Sequence, residues 1–427
     1  MRRARTSRTP PIAETIAVGS ELLLGGRTDS NSLCITDELA MLGIEVRFKS
    51  VVGDDRADIV HALNTAVQRA RVIVMTGGLG PTVDDCTREA VAQATGRRLA
   101  RRKEAFEGMQ ARLAQWRRVP NKGQLRQALI PSGASVVPNP VGSAPGFWLS
   151  WRGALLISLP GVPGEMAAMM RETVVPLLKS HVPQALGRSI RRLIFHTWGI
   201  SEADVDAKLL GLIPKAVPVD LGLLASPMGV LVSLTMKPRA AAGEETLVSL
   251  SNELRVRLQE WIFAEDQESM EEVVGQLLTK QHRTVALAES CTGGLIGHRL
   301  TQVPGSSIYM DRGVICYSNR AKVELLGVRP ELIEQHGAVS AEVAAAMAKG
   351  VRERSGVSVG LSVTGIAGPG GGTAAKPVGL VYIGLNADDG ASQVKEHRFH
   401  GDRTVIKQRA SQAALDLLRR WLLTGHP

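Results

Sequence analysis

The sequence has no long hydrophobic run among its 427 residues. Its apolar runs are short, such as those at 154–157 and 230–232, whereas a membrane-spanning helix needs roughly 18 apolar residues. An apolar signal-peptide core is also missing after the basic start MRRARTSRTPP, so we interpret residues 1–10 as a disordered basic arm. The sequence therefore predicts a cytoplasmic protein without a membrane partner.

The sequence also has few cysteines and few aromatic residues. The four cysteines show neither a CxxC pair nor zinc-ligand spacing, which argues against disulfides and structural zinc: Cys34, Cys86, Cys291 and Cys316. Much of the net charge of +10 lies at 96–127, a pattern typical of nucleic-acid surfaces. Because aromatic residues, which stack on bases, make up only 4%, we favour a solvated helix beside a site for a small phosphorylated ligand.

Strands and helices alternate in two long segments, 11–182 and 268–427. In the first, Ile35, Leu39 and Leu42 recur at helical spacing, and the continuously apolar VIVM is typical of a strand covered on both faces. The last segment runs from the apolar strand TVALAE to the amphipathic helix TVIKQRASQAALDLLRRWLL. Both segments are predicted to be wound α/β domains.

The segment between them, 187–264, has the pattern of a small α+β domain. It resembles a K-homology (KH)-like fold, but it lacks a GxxG loop flanked by basic residues, so RNA binding is not expected. A spacer or dimerisation role is the better interpretation, and a homodimer is expected. The predicted fold class is therefore α/β, with two wound α/β domains joined by a small KH-like domain.

A glycine-rich loop, TGGLGPTVDDCT at 76–87, follows the VIVM strand, where open α/β sheets place their ligand crevices. Gly77, Gly78 and Gly80 allow backbone N–H groups to approach an anion. Asp84 and Asp85 offer oxygen ligands to Mg²⁺ or a similar divalent cation. The loop predicts a nucleotide or pyrophosphate bound with a metal, and a tight turn before a capped helix is the structural alternative.

Five motifs follow one another through the first segment: GSELLLGGRTDSNS, VVGDD, TGGLGPTVDDCTREA, NPVGSAPGF and LPGVPGEM. Together they resemble the molybdopterin-binding-fold domain of the competence/damage-inducible CinA family, which is similar to molybdopterin adenylyltransferases. The resemblance implies metal-dependent hydrolysis of ADP-ribose. It also implies a site lined by Glu21, Asn31, Thr82, Asp84, Asp85, Asn139 and Glu165, with Glu165 joining the two aspartates as a metal ligand. Ser20 stands where relatives often carry Asp or Thr.

The stretch ESCTGG at 289–294 lies between an apolar strand and a helical segment, so it is predicted to form a strand-to-helix turn with free backbone N–H groups for an oxyanion. Cys291 is intrinsically the stronger nucleophile, and a helix N-terminus would lower its pKa. Its nearest histidine, His298, is two helical turns further on. Ser290 can use Lys322 as its base only if burial or nearby positive charge lowers the pKa of that lysine. The residues alone leave a plain helix cap and a solvated lysine open.

The motifs AESCTGG, VPGSS, GVICYSNRAKVELLGV, HGAVSAEVAAAMAKGV, VTGIAGPGGGTAAKPVG and FHGDR closely resemble the C-terminal CinA domain, the nicotinamide mononucleotide deamidase family. With the first domain, the whole chain resembles a full-length member of the CinA family. The resemblance implies hydrolysis of the mononucleotide to nicotinate mononucleotide and ammonia, without a cofactor, as part of pyridine-nucleotide recycling. It implies Ser290 as nucleophile, Lys322 as general base and Tyr317 as an assisting group.

The glycine-rich loop at 364–379 is interpreted as a cradle for the phosphate and ribose of the nucleotide. The predicted substrate-binding residues are Thr292, Gly293, Gly294, Thr364, Gly365, Gly368, Gly370, Gly371, Lys376 and Arg403. Two alternatives stay open: a first domain that binds molybdopterin or transfers adenylyl groups, and a DNA-uptake or repair accessory with vestigial sites.

Overall fold

The computed structural model describes residues 11–182, 191–236 and 244–424, so the predicted basic arm at 1–10 lies outside the described residues. These residues divide into two compact units: the first covers 11–182, and the second covers 192–235 with 244–424. None of the described helices combines the length and hydropathy of a membrane-spanning segment.

The first unit alternates strands and helices. Its strands are β1 (Ile12–Val18), β2 (Glu45–Val52), β3 (Val72–Thr76), β4 (Leu99–Arg101), β5 (Leu129–Pro131), β6 (Ser135–Val137), β7 (Gly146–Trp151) and β8 (Ala154–Leu159). Its helices are α1 (Ser20–Leu23), α2 (Ser30–Met41), α3 (Arg56–Arg69), α4 (Thr87–Thr95), α5 (Lys103–Gln115), α6 (Lys122–Arg126), α7 (Pro163–Met169) and α8 (Val175–His181), the last two joined by a π-helical turn.

The main sheet of this unit has the strand order β2-β1-β3-β8-β7-β6 and is parallel from β2 to β8. All five residues of β3 are buried, because one hydrophobic cluster with α3 and α4 and another with α2 and α7 cover its two faces. The carboxyl ends of β1, β3 and β8 meet at one edge. The prediction of a wound α/β domain is confirmed, and the ligand crevice is expected at this edge.

The second unit begins with a small α+β domain. It contains β9 (Arg192–Thr197), α9 (Glu202–Leu209), β10 (Val219–Ser226), β11 (Gly229–Met236), α10 (Glu244–Leu258) and β12 (Ile262–Glu265). The strand order is β10-β11-β9-β12, with β9 antiparallel to both of its neighbours. This is the KH-like domain that the sequence predicts.

The rest of the second unit is another wound α/β domain. Its strands are β13 (Val285–Glu289), β14 (Met310–Ile315), β15 (Val359–Gly365), β16 (Leu380–Ala387) and β17 (Ser392–Arg398). Its helices are α11 (Met270–Lys280), α12 (Leu295–Gln302), α13 (Asn319–Leu326), α14 (Pro330–His336), α15 (Ala341–Ser355) and α16 (Arg403–Thr424).

This sheet has the order β14-β13-β15-β16-β17, and β13 is parallel to both of its neighbours. Helices α11, α12 and α16 pack in one hydrophobic cluster, and α13 to α15 pack in another. From β13 the chain passes to β14 on one side and later to β15 on the other. The carboxyl end of β13 is therefore a topological switch point, where open α/β sheets bind their ligands.

Candidate active sites

Ser290 and Lys322 meet at the carboxyl end of β13. Ser290 directly follows this strand, and Lys322 lies in the first turns of α13, which follows β14. Lys322 Nζ is 3.1 Å from Ser290 Oγ and 2.9 Å from the carbonyl oxygen of Cys316. Ser290 is 8% exposed and Lys322 is 1% exposed. Both side chains are therefore buried, and the serine keeps slightly more exposed surface than the lysine.

The environment of Lys322 suits a neutral amine. Burial lowers the pKa of Lys322 from its ordinary value of 10.5. No ion pair among the described residues includes this lysine, so no carboxylate contact stabilises its charged form. The sequence made this burial the condition for a Ser290–Lys322 pair, and the structure meets it.

Cys291 lacks the properties of an activated nucleophile. It is 5% exposed, and burial raises the pKa of its thiol to about 12, with the charge of Glu289 acting in the same direction. The sequence predicted that the start of α12 would lower this pKa. That expectation is corrected, because desolvation outweighs the helix terminus at a fully buried thiol.

Glu289 binds the backbone N–H groups at the start of α12. Its buried carboxylate accepts hydrogen bonds from the backbone N–H groups of Gly294 (2.9 Å), Ile296 (3.2 Å) and Gly297 (2.8 Å). These are amides that a helix start leaves without intrahelical partners. The predicted set of free amides is therefore smaller than expected. Within the described chain, the backbone amides of Cys291 and Thr292 donate to no other residue.

Tyr317, Arg403 and Gly368 converge at the same edge of the sheet. Arg403 donates from Nη2 to the Tyr317 hydroxyl at 2.9 Å and from Nη1 to the Gly368 carbonyl at 2.7 Å. Tyr317 is 59% exposed. The guanidinium thus joins the segment after β14 to the glycine-rich loop, and the tyrosine ring faces solvent beside the Ser290–Lys322 pair.

Two predicted substrate contacts point into the protein. Thr364 is 1% exposed and donates to the Ala338 carbonyl at 2.7 Å. Lys376 donates to the carbonyls of His336 (2.6 Å) and Val339 (2.7 Å). The expectation that these polar groups contact the nucleotide is corrected: they anchor the loop to the end of α14, because carbonyls unpaired after that helix need donors.

The other predicted substrate-binding residues differ in burial and in the space around them. Thr292 is fully buried, and its hydroxyl has no partner in the described residues. Gly293 and Gly294 form the left-handed end of the turn, Gly365 is the last residue of β15, and Gly371 lies in the loop that follows this strand. Gly370 has open space where a side chain would stand. The loop at Gly370 therefore has room for a ligand, whereas a Cβ on Gly294 in the turn would lie 3.2 Å from Ile315.

The first unit has a cleft of about 580 Å³ at the predicted edge. Of the predicted residues, Glu21, Gly77, Gly78, Gly80, Asp84, Asp85 and Glu165 line it. Arg27, Asp54, Gln127 and Ser143 line it too, and sequence reasoning missed them. A Cβ on Gly77 would lie 2.0 Å from the Val18 carbonyl oxygen, so the close approach of β1 to the loop requires glycine there. The cleft has the size of a typical ligand site.

Asp85 organises the glycine-rich loop. Its carboxylate accepts from the N–H of Gly80 at 2.7 Å, from the N–H of Thr82 at 2.8 Å and from the Thr82 hydroxyl. Two arginines bind the loop carbonyls from behind. Arg88 donates to Leu79 and Gly80, and Arg126 donates to Pro81 and Thr82. Asp85 therefore shapes the loop, and its role as a metal ligand stays a prediction.

Asn31 and Asn139 hold the cleft walls. Asn31 donates to the Thr76 hydroxyl and to the Gly161 carbonyl, which joins β3 to the loop after β8. Asn139 donates to Glu165 at 2.7 Å and accepts from the N–H of Gly142. Neither asparagine lines the cleft, so both act by positioning the loops that do.

The predicted metal ligands do not form a ready-made centre. Across the described ranges, no group of three His, Cys, Asp or Glu side chains could hold an ion. Asp84 is exposed in the cleft, and the hydroxyl of Thr82 helps to lower its pKa. A divalent cation often binds through one or two carboxylates plus ligand phosphates. The donor set fits a cation that arrives with a phosphate and is held by Asp84, but it does not fit an all-protein site.

The basic stretch at 96–127 uses part of its charge inside the domain. Arg97 donates to the Ser132 carbonyl at 2.7 Å, Arg112 donates to the Pro140 carbonyl, and Arg126 binds the glycine-rich loop. Arg101 stacks on the Phe106 ring. These contacts favour a stretch that braces a ligand site over a free nucleic-acid surface.

Beyond the four cleft residues named above, sequence reasoning missed Glu289, Arg88, Arg126 and Lys407, whose ammonium lies near Gly293. Glu289 was visible as an acid at the end of a buried strand, where a charge needs partners. Arg88 was visible as a basic residue on the otherwise buried face of a helix after the loop. For Arg126 and Lys407 the sequence carried no local signal, because their contacts lie far away along the chain.

Three family descriptions match consecutive parts of the chain: "Probable molybdopterin binding domain" at 14–180, "Damage-inducible protein CinA KH domain" at 192–264 and "CinA C-terminal domain" at 267–422. A "CinA-like protein" of Geotalea uraniireducens is 42% identical over 96% of this chain and 97% of its own length. A "Putative competence-damage inducible protein" of Halothermothrix orenii is 43% identical over 96% and 98%.

A solved structure of a competence/damage inducible protein, CihA from Agrobacterium tumefaciens, is 41% identical and covers 35% of this chain and 94% of its own, with a TM-score of 0.34. The family descriptions and the two relatives span the chain from the first unit to α16. The chain belongs to the CinA family, with a molybdopterin-binding-like domain, a KH domain and a CinA C-terminal domain in that order.

Proposed function

We propose that the C-terminal domain hydrolyses the carboxamide of nicotinamide mononucleotide to nicotinate mononucleotide and ammonia. The observation that carries this proposal is the 3.1 Å contact between Lys322 Nζ and Ser290 Oγ, with the amine buried and its pKa lowered by burial. An alcohol beside a neutral amine is a nucleophile with its base, the arrangement that acyl transfer needs. The substrate comes from the family resemblance.

The proposed reaction starts with Lys322 in its neutral form. Its amine takes the proton of the Ser290 hydroxyl while Oγ attacks the carboxamide carbon, and the carbonyl oxygen becomes an oxyanion. The amides of Cys291 and Thr292 are the available donors for this oxyanion. Lys322 then returns the proton to the leaving nitrogen, so ammonia departs and an ester on Ser290 remains. Lys322 then takes a proton from water, which attacks the ester carbon; the acyl–Oγ bond breaks, and Lys322 returns the proton to Ser290 Oγ as the acid is released.

Tyr317 and Arg403 fit an assisting role in this scheme. The Arg403 guanidinium donates to the Tyr317 hydroxyl, which fixes an exposed ring beside the reactive pair. A planar ring at this position can stack on the pyridinium ring of the substrate, since cations bind over aromatic faces. We therefore place the nicotinamide ring against Tyr317.

For the first domain we propose binding, and metal-dependent hydrolysis, of an ADP-ribose-like pyrophosphate. The glycine-rich loop and the 580 Å³ cleft support a phosphorylated ligand. Asp84 would hold the divalent cation, and the cation would neutralise the charge of the phosphates. Arg27 lines the same cleft and offers a positive charge to the phosphates. Both activities together would recycle fragments of pyridine nucleotides.

A second candidate for the first domain is a molybdopterin-binding or adenylyl-transferring module, and the family description matched at 14–180 favours it. A DNA-uptake or repair accessory has less support, because arginines of the basic stretch bind carbonyls of their own domain. The homodimer and the cytoplasmic location stay predictions from the sequence.

Ammonia release from nicotinamide mononucleotide tests the deamidase proposal. Wild type and Cys291→Ala should release ammonia, and Ser290→Ala and Lys322→Ala should not. Chelation with EDTA should leave ammonia release intact and stop any cleavage of ADP-ribose by the first domain. Full activity in Ser290→Ala would refute the serine mechanism. Salt-sensitive DNA binding without any ammonia release would favour the accessory role.

A further inference from the structure

Lys407 is a cation near the reactive pair that the proposed mechanism leaves unused. It lies in α16, one helical turn after Arg403 and one turn before Ser411, so the three side chains follow one face of the helix. Arg403 binds Tyr317 and Gly368, and Ser411 accepts from Arg299 at 3.0 Å. Lys407 forms no hydrogen bond or ion pair in the part of the chain that the structure describes.

The Lys407 ammonium lies against the turn that carries Ser290. A Cβ on Gly293 would be 3.7 Å from Lys407 Nζ, and Gly293 has a left-handed backbone with a φ of +62°. Burial raises the pKa of Cys291, and the charge of Lys407 opposes that rise, so its field reaches the turn. An unpartnered ammonium next to such a turn is a site that attracts an anion.

Lys322 and Lys407 approach this turn from opposite faces of the sheet. Lys322 belongs to α13, which packs in the hydrophobic cluster with α14 and α15. Lys407 belongs to α16, which packs in the cluster with α11 and α12. A mononucleotide likewise carries its carboxamide and its phosphate at opposite ends. Lys322 thus lies beside the Ser290 hydroxyl, and Lys407 lies beside Gly293 on the other side of the turn.

The two cations among the predicted substrate-binding residues are engaged elsewhere. Lys376 donates to two main-chain carbonyls, and Arg403 donates to Gly368 and Tyr317. We infer that Lys407, beside the turn at Gly293, binds the phosphate of the mononucleotide and selects phosphorylated over unphosphorylated substrates. This inference rests on the proposed deamidase function.

The test compares nicotinamide mononucleotide with nicotinamide riboside, which lacks the phosphate, in full-length wild type, Lys407→Gln, Lys407→Arg and Lys349→Gln. Lys349 is an exposed lysine on α15 that pairs with Glu353 and serves as the matched control. In Lys407→Gln, the ratio of kcat/KM for the mononucleotide to that for the riboside should fall about ten- to a hundredfold, because one charge-assisted contact is lost. Lys407→Arg and Lys349→Gln should keep the wild-type ratio.

Riboside turnover also reports whether the Lys407→Gln protein is folded. An unchanged ratio in Lys407→Gln would overturn the inference. An equal loss for both substrates would overturn it as well, since that result would place the lysine at the oxyanion.

A wild type that releases no ammonia from either substrate would refute the proposed function instead. The phosphate site would then be measured by calorimetric titration with nicotinamide mononucleotide. Weaker binding to Lys407→Gln than to Lys349→Gln supports the site, and equal binding to both variants overturns it.

Discussion

Replacing Glu289 with Gln should loosen the turn that carries the proposed nucleophile. The Glu289 carboxylate accepts three backbone N–H groups at the start of α12, from Gly294, Ile296 and Gly297. One oxygen accepts two of them and the other accepts the third. Gln keeps one acceptor oxygen and turns the other position into an NH₂ donor, which would face an amide N–H.

The least costly arrangement keeps the oxygen on Gly294 and Ile296 and gives up the bond from Gly297. The loss is one hydrogen bond to a charged acceptor, worth about 1.5–3 kcal/mol, in a site where Glu289 is only 2% exposed. Since each 1.4 kcal/mol is a factor of ten, the local opening equilibrium should rise by about 10- to 150-fold.

Hydrogen exchange read by mass spectrometry measures this opening directly. The peptide that contains residues 290–298 should exchange about 10- to 150-fold faster in Glu289→Gln. Ammonia release should fall because Ser290 and the amides of Cys291 and Thr292 lie on the same turn.

Glu272→Gln is the control for this experiment. Glu272 accepts the backbone N–H of Ser269 at the start of α11, so its loss should change exchange only in that helix. If Glu289→Gln exchanges and reacts like wild type, the carboxylate does not hold the turn, and the argument is refuted.

Three further predictions concern single side chains. Because burial lowers the pKa of Lys322, the unfolded chain holds that proton more tightly, so stability should rise with pH from the lowered pKa up to 10.5, and deamidation should rise through the same lowered pKa. Lys322→Met should then raise the thermal midpoint at pH 7 and abolish activity; a lower midpoint would contradict the cost of burying this amine. Cys291 in the native protein should resist iodoacetamide at pH 8, because its pKa is about 12, and rapid labelling would contradict its burial. Arg126→Gln should weaken ADP-ribose binding about tenfold in calorimetry, because two loop carbonyls lose their donor, whereas the exposed Arg98→Gln should not; equal effects would mean that only net charge matters.

Much of the fold followed from periodicity. The buried strand at 72–75, the helix with Ile35 and Leu39 on its inner face and the strand before Ser290 all lie where the sequence predicts them. The carboxyl ends of parallel strands in a wound sheet meet at one edge, and this rule predicts that Ser290 and Lys322 lie near each other.

The remaining features depend on contacts that periodicity does not encode. The sequence predicts Asp85 as a metal ligand. In the structure its carboxylate accepts hydrogen bonds from residues three and five positions earlier, and this geometry depends on the loop conformation. Lys376 and Arg403 are predicted from the sequence to bind substrate, but each donates to a main-chain carbonyl that only the folded chain brings near. Lys407, which forms no hydrogen bond or ion pair among the described residues, lies more than a hundred residues after Gly293 in the turn beside it. Long-range partners decide which charges remain available.

The most direct test of the account is to trap the proposed ester. Full-length protein would be mixed with nicotinamide mononucleotide, quenched in acid within the first turnover, digested and read by tandem mass spectrometry. The account predicts a nicotinate mononucleotide acyl group on the Ser290 oxygen, retained in Cys291→Ala and missing in Ser290→Ala. The same acyl group on Cys291, or ammonia release that continues in Ser290→Ala, would contradict it.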